Sequence, residues 1–344
     1  MPLVDRSSYT PPPGFGNGHL QTIFPVLTRK VALITTVRER IETPDGDFLD
    51  LDWDTSNASS RLLIMTHGLE GSSTNPYVQA MAAAASRNGW DTLAWNLRGC
   101  SGQPNRLARS YHSGATEDLA TVIGHVRGTG RYQRIDLVGF SLGGNLTLKY
   151  LGDCGSNLPI EIGAAVTFSV PCDLASSSLQ LERPMNRIYM HRFLRTLRIK
   201  IREKMIRFPN QIHDVGMDSM RTFRQFDDAY TAPLHGFRDA AEYWRKASSL
   251  PVLHAIAIPT LLVSARNDPF LARACYPIEQ ARSNPNLYLE MPASGGHLGF
   301  IVFNRLREYW SESRAIAFLT QHPGPGAPRR GTPGLSRIAL KKFT

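Results

Sequence analysis

The chain has 344 residues, 42% of them hydrophobic and 20% charged, which suits an ordinary globular protein with one large α/β domain and an insertion, or two modest domains. No stretch of about 18 apolar residues offers a membrane-spanning helix, and the opening residues lack a charged-then-apolar export signal, so a cytoplasmic location is expected. The four cysteines (Cys100, Cys154, Cys172, Cys275) are scattered with no Cys-x-x-Cys spacing, so neither a disulfide framework nor a metal site is expected, and no cofactor.

The net charge of +10 is concentrated. Residues 183–208 hold nine Lys/Arg against one Glu, the tail 322–344 adds five Lys/Arg and no acid, and the remainder stands at −3. With no interleaved aromatic and basic platform, that distribution argues against nucleic acid as a partner.

In chain order, a Pro-rich opening leads to Gly14-Phe15-Gly16-Asn17-Gly18-His19-Leu20-Gln21-Thr22-Ile23-Phe24-Pro25, which reads as too rich in Gly for a regular element. Residues 38–42 and 48–53 flank the turn signal Thr43-Pro44-Asp45-Gly46 and predict a β-hairpin at a sheet edge. A buried strand over 61–66 ends in His67-Gly68-Leu69-Glu70-Gly71-Ser72, and an Ala-rich helix is expected over 76–88. The strand 91–97 leads to Arg98-Gly99-Cys100-Ser101-Gly102, with a helix from about 113 to 128.

A short apolar run then enters Gly139-Phe140-Ser141-Leu142-Gly143-Gly144-Asn145 and continues with apolar residues at helical spacing: strand, sharp turn, helix. Another buried strand covers 162–170. From about 172 to 250 the strand–helix alternation stops. There Met190, Leu194, Leu197, Ile201, Met205 and Phe208 make an apolar stripe on a helix whose other faces carry Arg195, Arg198, Arg202 and Lys204. A helical insertion of this kind reads as a cap over a cavity. Its basic stripe reads first as a solvated face, and second as a weak contact with an anionic substrate group or anionic lipid. Strands over 258–264 and 286–291 and a closing helix over 305–321 complete the pattern, followed by a flexible basic tail.

The expected fold is therefore α/β, a mostly parallel sheet flanked by helices. Its parts are a core from 1–171 and 251–321, a helical cap at 172–250 inserted after the sixth strand, and a tail at 322–344. Ligands of such sheets bind outside the carboxyl ends of the strands, where Ser141, Asp268 and His297 would converge. A serine hydroxyl needs a histidine to take its proton and a carboxylate to hold the imidazole in the right tautomer. The order Ser, Asp, His fits the α/β-hydrolases. Asp268, in a compact Asn-Asp-Pro turn, has one rival in Asp173. His67 reads as a structural histidine. The backbone N–H groups of Leu142 and Leu69 are the candidates to meet an oxyanion.

Beyond the elbow, several stretches carry a family resemblance: Asn17-Gly18-His19-Leu20-Gln21-Thr22, His67-Gly68-Leu69-Glu70-Gly71-Ser72, Asn96-Leu97-Arg98-Gly99-Cys100-Ser101-Gly102, Phe226-Asp227-Asp228 with Thr231-Ala232-Pro233 and Gly236-Phe237, Asn267-Asp268-Pro269, and Gly295-Gly296-His297-Leu298-Gly299. Together they resemble the YheT-like α/β-hydrolases, a bacterial group similar to the eukaryotic abhydrolase-domain lipid hydrolases, over roughly residues 14–321. The resemblance implies a carboxylic-ester hydrolase with Ser141 as nucleophile, Asp268 as orienting acid and His297 as base. It leaves the substrate open between small esters and lipids; the N-terminal membrane anchor typical of the eukaryotic relatives is not seen here, which weakens a membrane-lipid assignment.

The expected function is a serine carboxylesterase acting on short to medium acyl chains through an acyl-enzyme. The rivals are a lipase, phospholipase or thioesterase acting on longer chains, and a catalytically silent binding module.

Overall fold

The computed structural model describes residues 3–31 and 34–322. Eight strands form one sheet: β1 (Val37–Glu42), β2 (Phe48–Asp54), β3 (Arg61–Thr66), β4 (Asp91–Asn96), β5 (Arg134–Phe140), β6 (Ile162–Phe168), β7 (Thr260–Val263) and β8 (Leu287–Glu290), in the spatial order β1-β2-β4-β3-β5-β6-β7-β8. β2 runs antiparallel to both β1 and β4, and every pairing from β4 to β8 is parallel. The hairpin read around Thr43-Pro44-Asp45-Gly46 is thus the sheet edge.

Parallel strands need helical crossovers, and these bury both faces of the sheet. Alternation along the strands shows it. Leu62 and Ile64 of β3 and Ile135 and Leu137 of β5 join one core layer, while Leu63, Met65, Val138 and Phe140 join the other. The flanking helices are α1 (Gly18–Thr28), α2 (Pro76–Arg87), α3 (Thr116–Gly128), α4 (Leu142–Cys154), then, all between β6 and β7, α5 (Leu174–Leu181), α6 (Arg187–Arg207), the short turns α7 (Phe223–Phe226) and α8 (Ala232–Leu234), and α9 (Ala240–Ala247), and finally α10 (Ile278–Ser283) and α11 (Trp310–Gln321). Among the described residues no strand falls between Phe168 and Thr260.

The Gly-rich N-terminal stretch does contain a regular element, α1, because its glycines lie before or at the first helical position and the Asn17 side chain caps it by accepting from the Leu20 N–H at 3.1 Å. The closing helix starts at Trp310 rather than near 305; Glu312 closes a capping box there by accepting from the Tyr309 N–H at 2.6 Å. The tail from 323 onward lies outside the described residues.

Buried ion pairs pin the layers. Asp136, with no exposed side-chain surface, accepts from Arg61 at 2.8 Å, from Arg134 at 2.9 Å and from the Ala164 N–H at 3.0 Å. Arg98 joins the hairpin turn to α3, donating to Asp45 at 2.7 Å and to Asp118 at 2.6 Å. Asn145 does the same for the segment between β6 and β7. Its amide donates to the carbonyls of Ser113 at 2.9 Å and Ala247 at 2.8 Å, and its carbonyl accepts from the Ser249 N–H at 2.9 Å. Replacing Asn145 with Leu would strand three buried backbone groups, and a loss of roughly 3 kcal/mol or more in urea unfolding is expected.

Candidate active site

Three backbones meet behind Ser141 with no room for side chains. A Cβ on Gly139 would lie 2.6 Å from the Gly143 carbonyl oxygen, one on Gly143 would lie 2.7 Å from the carbonyl carbon of Thr66, and one on Gly144 would lie 2.7 Å from Val170 Cγ2. The strand-to-helix turn is therefore tight enough to force Ser141 to φ 51° and ψ −117°, a conformation that L-residues rarely adopt. Such backbone strain persists where the surroundings dictate it, and here it lifts the hydroxyl off the end of β5.

Ser141 Oγ lies 2.9 Å from His297 Nε2. The Nδ1 side of the same ring lies 2.9 Å from Asp268 Oδ2 and 3.2 Å from Oδ1. Asp268 is buried and also accepts from the Phe270 N–H at 2.9 Å, so its carboxylate cannot swing away from the ring. Phe270 closes over the imidazole, with ring centroids 4.1 Å apart. Asp173 is spent elsewhere: its side chain caps α5 by accepting from the Ser176 N–H at 2.7 Å. This arrangement gives a hydroxyl proton an acceptor and gives the resulting imidazolium a carboxylate, which is the requirement for nucleophilic acyl transfer.

In the loop after β3 the N–H groups on either side of Leu69 are both engaged. The Gly68 N–H donates to the Tyr77 hydroxyl at 3.0 Å and the Glu70 N–H to the Tyr111 hydroxyl at 2.9 Å. The Leu69 N–H between them has no acceptor among the described residues. Leu142 opens α4, so its N–H has no intrahelical partner either. Both residues line the same cleft as Ser141 and His297. His67 is structural in just the way its position suggests. Its Nδ1 sits 2.8 Å from the Gly68 carbonyl and its Nε2 accepts from the Leu97 N–H at 3.1 Å.

Three contributions escaped the sequence. The first is α1, which braces the histidine loop. Thr22 Oγ1 accepts from the His297 N–H at 2.9 Å, Gln21 donates to Ser294 Oγ at 3.0 Å, and a Cβ on Gly296 would lie 2.9 Å from both Gln21 Cβ and Thr22 Oγ1. The Asn17-to-Thr22 motif signalled its importance but not its target, which lies some 275 residues away.

The second is the inward turn of the basic helix. Lys204 is 3% exposed and donates to the Asn105 carbonyl at 3.1 Å, so it does not belong to a solvated face. Burial pulls its ammonium down to about 8. Lys200 pairs with Glu70 at 2.9 Å, beside Leu69, and Glu70 also accepts from the Tyr111 hydroxyl at 2.7 Å. These contacts follow from where α6 crosses the loops after β3 and β4, which periodicity along the helix cannot reveal.

The third is Asp227. It lines the cleft, is buried, and accepts from the Trp244 indole at 2.8 Å. Burial raises its carboxyl to about 7. The rest of the lining is mostly apolar, with Leu174 and Leu181 from α5, Phe193 and Ile201 from α6, and Phe223 from α7.

The α/β hydrolase fold family matches residues 61–303, and the chain belongs to it. It is 37% identical over 322 residues to YheT of Escherichia coli (strain K12), an esterase by name, covering 92% of this chain and 94% of that protein. It is also 33% identical over 308 residues to the phospholipase ABHD3 of Homo sapiens, covering 87% of this chain and 75% of that one. Among solved structures, the Pyrococcus furiosus esterase Pf2001 shares the fold at a TM-score of 0.57 and 19% identity, over 86% of this chain and 97% of its own.

Two buried groups give the fold opposite pH responses. Burial depresses His67 from 6.5 to about 4, so the unfolded chain binds more protons over that interval and stability falls as pH drops from about 6.5 toward 4. Replacing His67 with Asn should flatten that slope in urea midpoints taken across the range. Asp227, raised from 3.8 to about 7, acts with the other sign, and its contribution is lost as pH rises through 7. Asp227→Asn keeps an acceptor for Trp244, so its stability should gain on the parent as pH climbs from 4 to 8.

Proposed function

We propose that the protein is a serine carboxylesterase working through an acyl-enzyme. The observation that carries this reading is the continuous relay from Ser141 Oγ through the His297 ring to Asp268, 2.9 Å at each link, opening into an apolar cleft. Ser141 attacks the ester carbonyl while His297 Nε2 takes the hydroxyl proton. The tetrahedral oxyanion is met by the N–H groups of Leu69 and Leu142. His297 then passes the proton to the departing alcohol, leaving the acyl group on Ser141. A water, deprotonated by His297, attacks that acyl carbonyl; the acid leaves and Ser141 recovers its proton. Asp268 orients the imidazole throughout. The segment 172–250 acts as the cap, and its apolar side chains hold the acyl chain.

Ser141→Ala is expected to lower kcat on p-nitrophenyl esters by about 10³–10⁶-fold, and Asp268→Asn by about 10⁴-fold, with unfolding midpoints unchanged. A fluorophosphonate should add to Ser141 and to no other serine by peptide mass spectrometry. A folded parent with no turnover and no label would leave the silent-module reading standing; retained activity in Ser141→Ala would remove the nucleophile assignment.

Acyl length is the finer question. We favour short to medium chains on a cleft walled by Leu174, Leu181, Phe193 and Phe226. The second reading, a lipase or phospholipase on longer chains, draws on the ABHD3 likeness and on the exposed arginines of α6, Arg187, Arg192 and Arg195. Thioester cleavage needs the same chemistry. Rates over an acyl series from acetyl to palmitoyl decide among them: the favoured reading expects kcat/KM to peak at or below about ten carbons, each added methylene before the peak contributing roughly 0.8 kcal/mol at most. Leu181→Trp, which narrows the cleft, should move that peak to shorter chains.

A further inference from the structure

Helix α1 is packed with its polar side inward. Gln21 is fully buried and Thr22 nearly so, both committed to the loop that carries His297. The apolar positions 20, 23, 24 and 27 stand three and four apart, one stripe of the helix, and that stripe faces out: Leu27 is 76% exposed, with Leu20 and Ile23 also exposed. Val26, at 55%, widens it. The stripe does not end with the helix. Phe24 and Phe15 stand with ring centroids 5.0 Å apart, and Phe303 lies 5.4 Å from Phe15, carrying the apolar surface onto Phe303, 64% exposed, three residues before Leu306, which is 69% exposed.

Single exposed apolar residues are ordinary, but a contiguous group of this kind marks a contact surface. Its charged fringe selects the occupant. Lys30 follows the end of α1, and Arg305 and Arg307 flank Leu306; all three are exposed, and none makes an ion pair among the described residues. A two-fold pairing of this face with itself would bring like charges together. An anionic bilayer matches both features at once, since apolar side chains enter the headgroup boundary while Lys and Arg meet the phosphates.

We propose that α1 and the 303–307 segment form an interfacial docking surface for an anionic lipid bilayer. The surface is distinct from the basic face of α6. Because α1 also fixes the loop bearing His297, docking sets the candidate catalytic edge of the sheet close to the lipid. That consequence for substrate delivery rests on the ester-hydrolase reading; the docking itself does not.

The test is flotation of the full chain with vesicles of equimolar phosphatidylcholine and phosphatidylglycerol, compared with vesicles of phosphatidylcholine alone, at low and high salt. The parent is expected to float with the mixed vesicles, less with the neutral ones, and less at high salt. Leu27→Asp with Leu306→Asp should lower the bound fraction about tenfold, and Lys30→Glu with Arg305→Glu should remove the preference for anionic lipid. Both pairs should hydrolyse a water-soluble short-chain ester at the parental rate, which also reports that they fold. Absence of flotation, or flotation unchanged in both pairs, overturns the proposal. So does a parental dimer in sedimentation that Leu27→Asp with Leu306→Asp dissolves, since the face would then join copies of this chain. Parental flotation that depends on these residues, without any ester turnover, would retire the enzymatic reading and leave the docking surface in place.

Discussion

The close approach of α4 to the carboxyl ends of β3, β5 and β6 is the constraint on which the candidate site depends. At Gly139, Gly143 and Gly144 the neighbouring backbone or side-chain atoms lie where a Cβ would be. Three glycines give the unfolded chain more conformational freedom to lose on folding. What is gained is a turn so short that Ser141 must take a left-handed conformation. The hydroxyl then projects from the sheet edge, and the first-turn N–H groups of α4 lie beside it without partners. The exposed hydroxyl and the unpartnered N–H groups beside it are thus two results of one packing arrangement.

The histidine side of the site is built by a different device. His297 sits in a loop whose backbone makes sharp excursions, with Gly296 and Leu298 both at positive φ. It is held because α1 supplies Thr22 to its N–H, because Ser169 accepts from the Leu298 N–H at 3.1 Å, and because Asn267 accepts from the Gly296 N–H at 3.0 Å. Residues before the first strand, after β6 and after β7 therefore converge on one loop. That bracing holds the imidazole 2.9 Å from the Ser141 hydroxyl.

Much of this was legible in the chain. Period-two and continuous apolar runs located the strands, Gly-x-Ser-x-Gly located the turn, and the Asn-Asp-Pro and Gly-Gly-His signals located the other two side chains. Each is a local pattern, set by residues close in sequence. Glycine content misleads at α1, because its glycines fall before or at the first helical position behind the Asn17 cap. Periodicity misleads at Lys204, because a helical wheel reports which residues share a face and not what that face meets. Asp227 stood in the Phe226-Asp227-Asp228 motif, but nothing local told of its burial; its carboxyl is raised only because the tertiary fold encloses it beside Trp244.

The sequence by itself determined most element types, the delivery of Ser141, a carboxylate and His297 to one edge of a parallel sheet, and the absence of side chains where backbones must cross. Those depend on steric and periodic rules that act over a few residues. Only the tertiary structure decided that Asp268 rather than Asp173 reaches the imidazole, that Leu69 keeps its N–H while its neighbours give theirs to Tyr77 and Tyr111, and that the apolar stripe of α1 is left facing outward. Each of these turns on which distant groups meet a shared donor, acceptor or surface in the folded chain, and no spacing along one strand or helix encodes that.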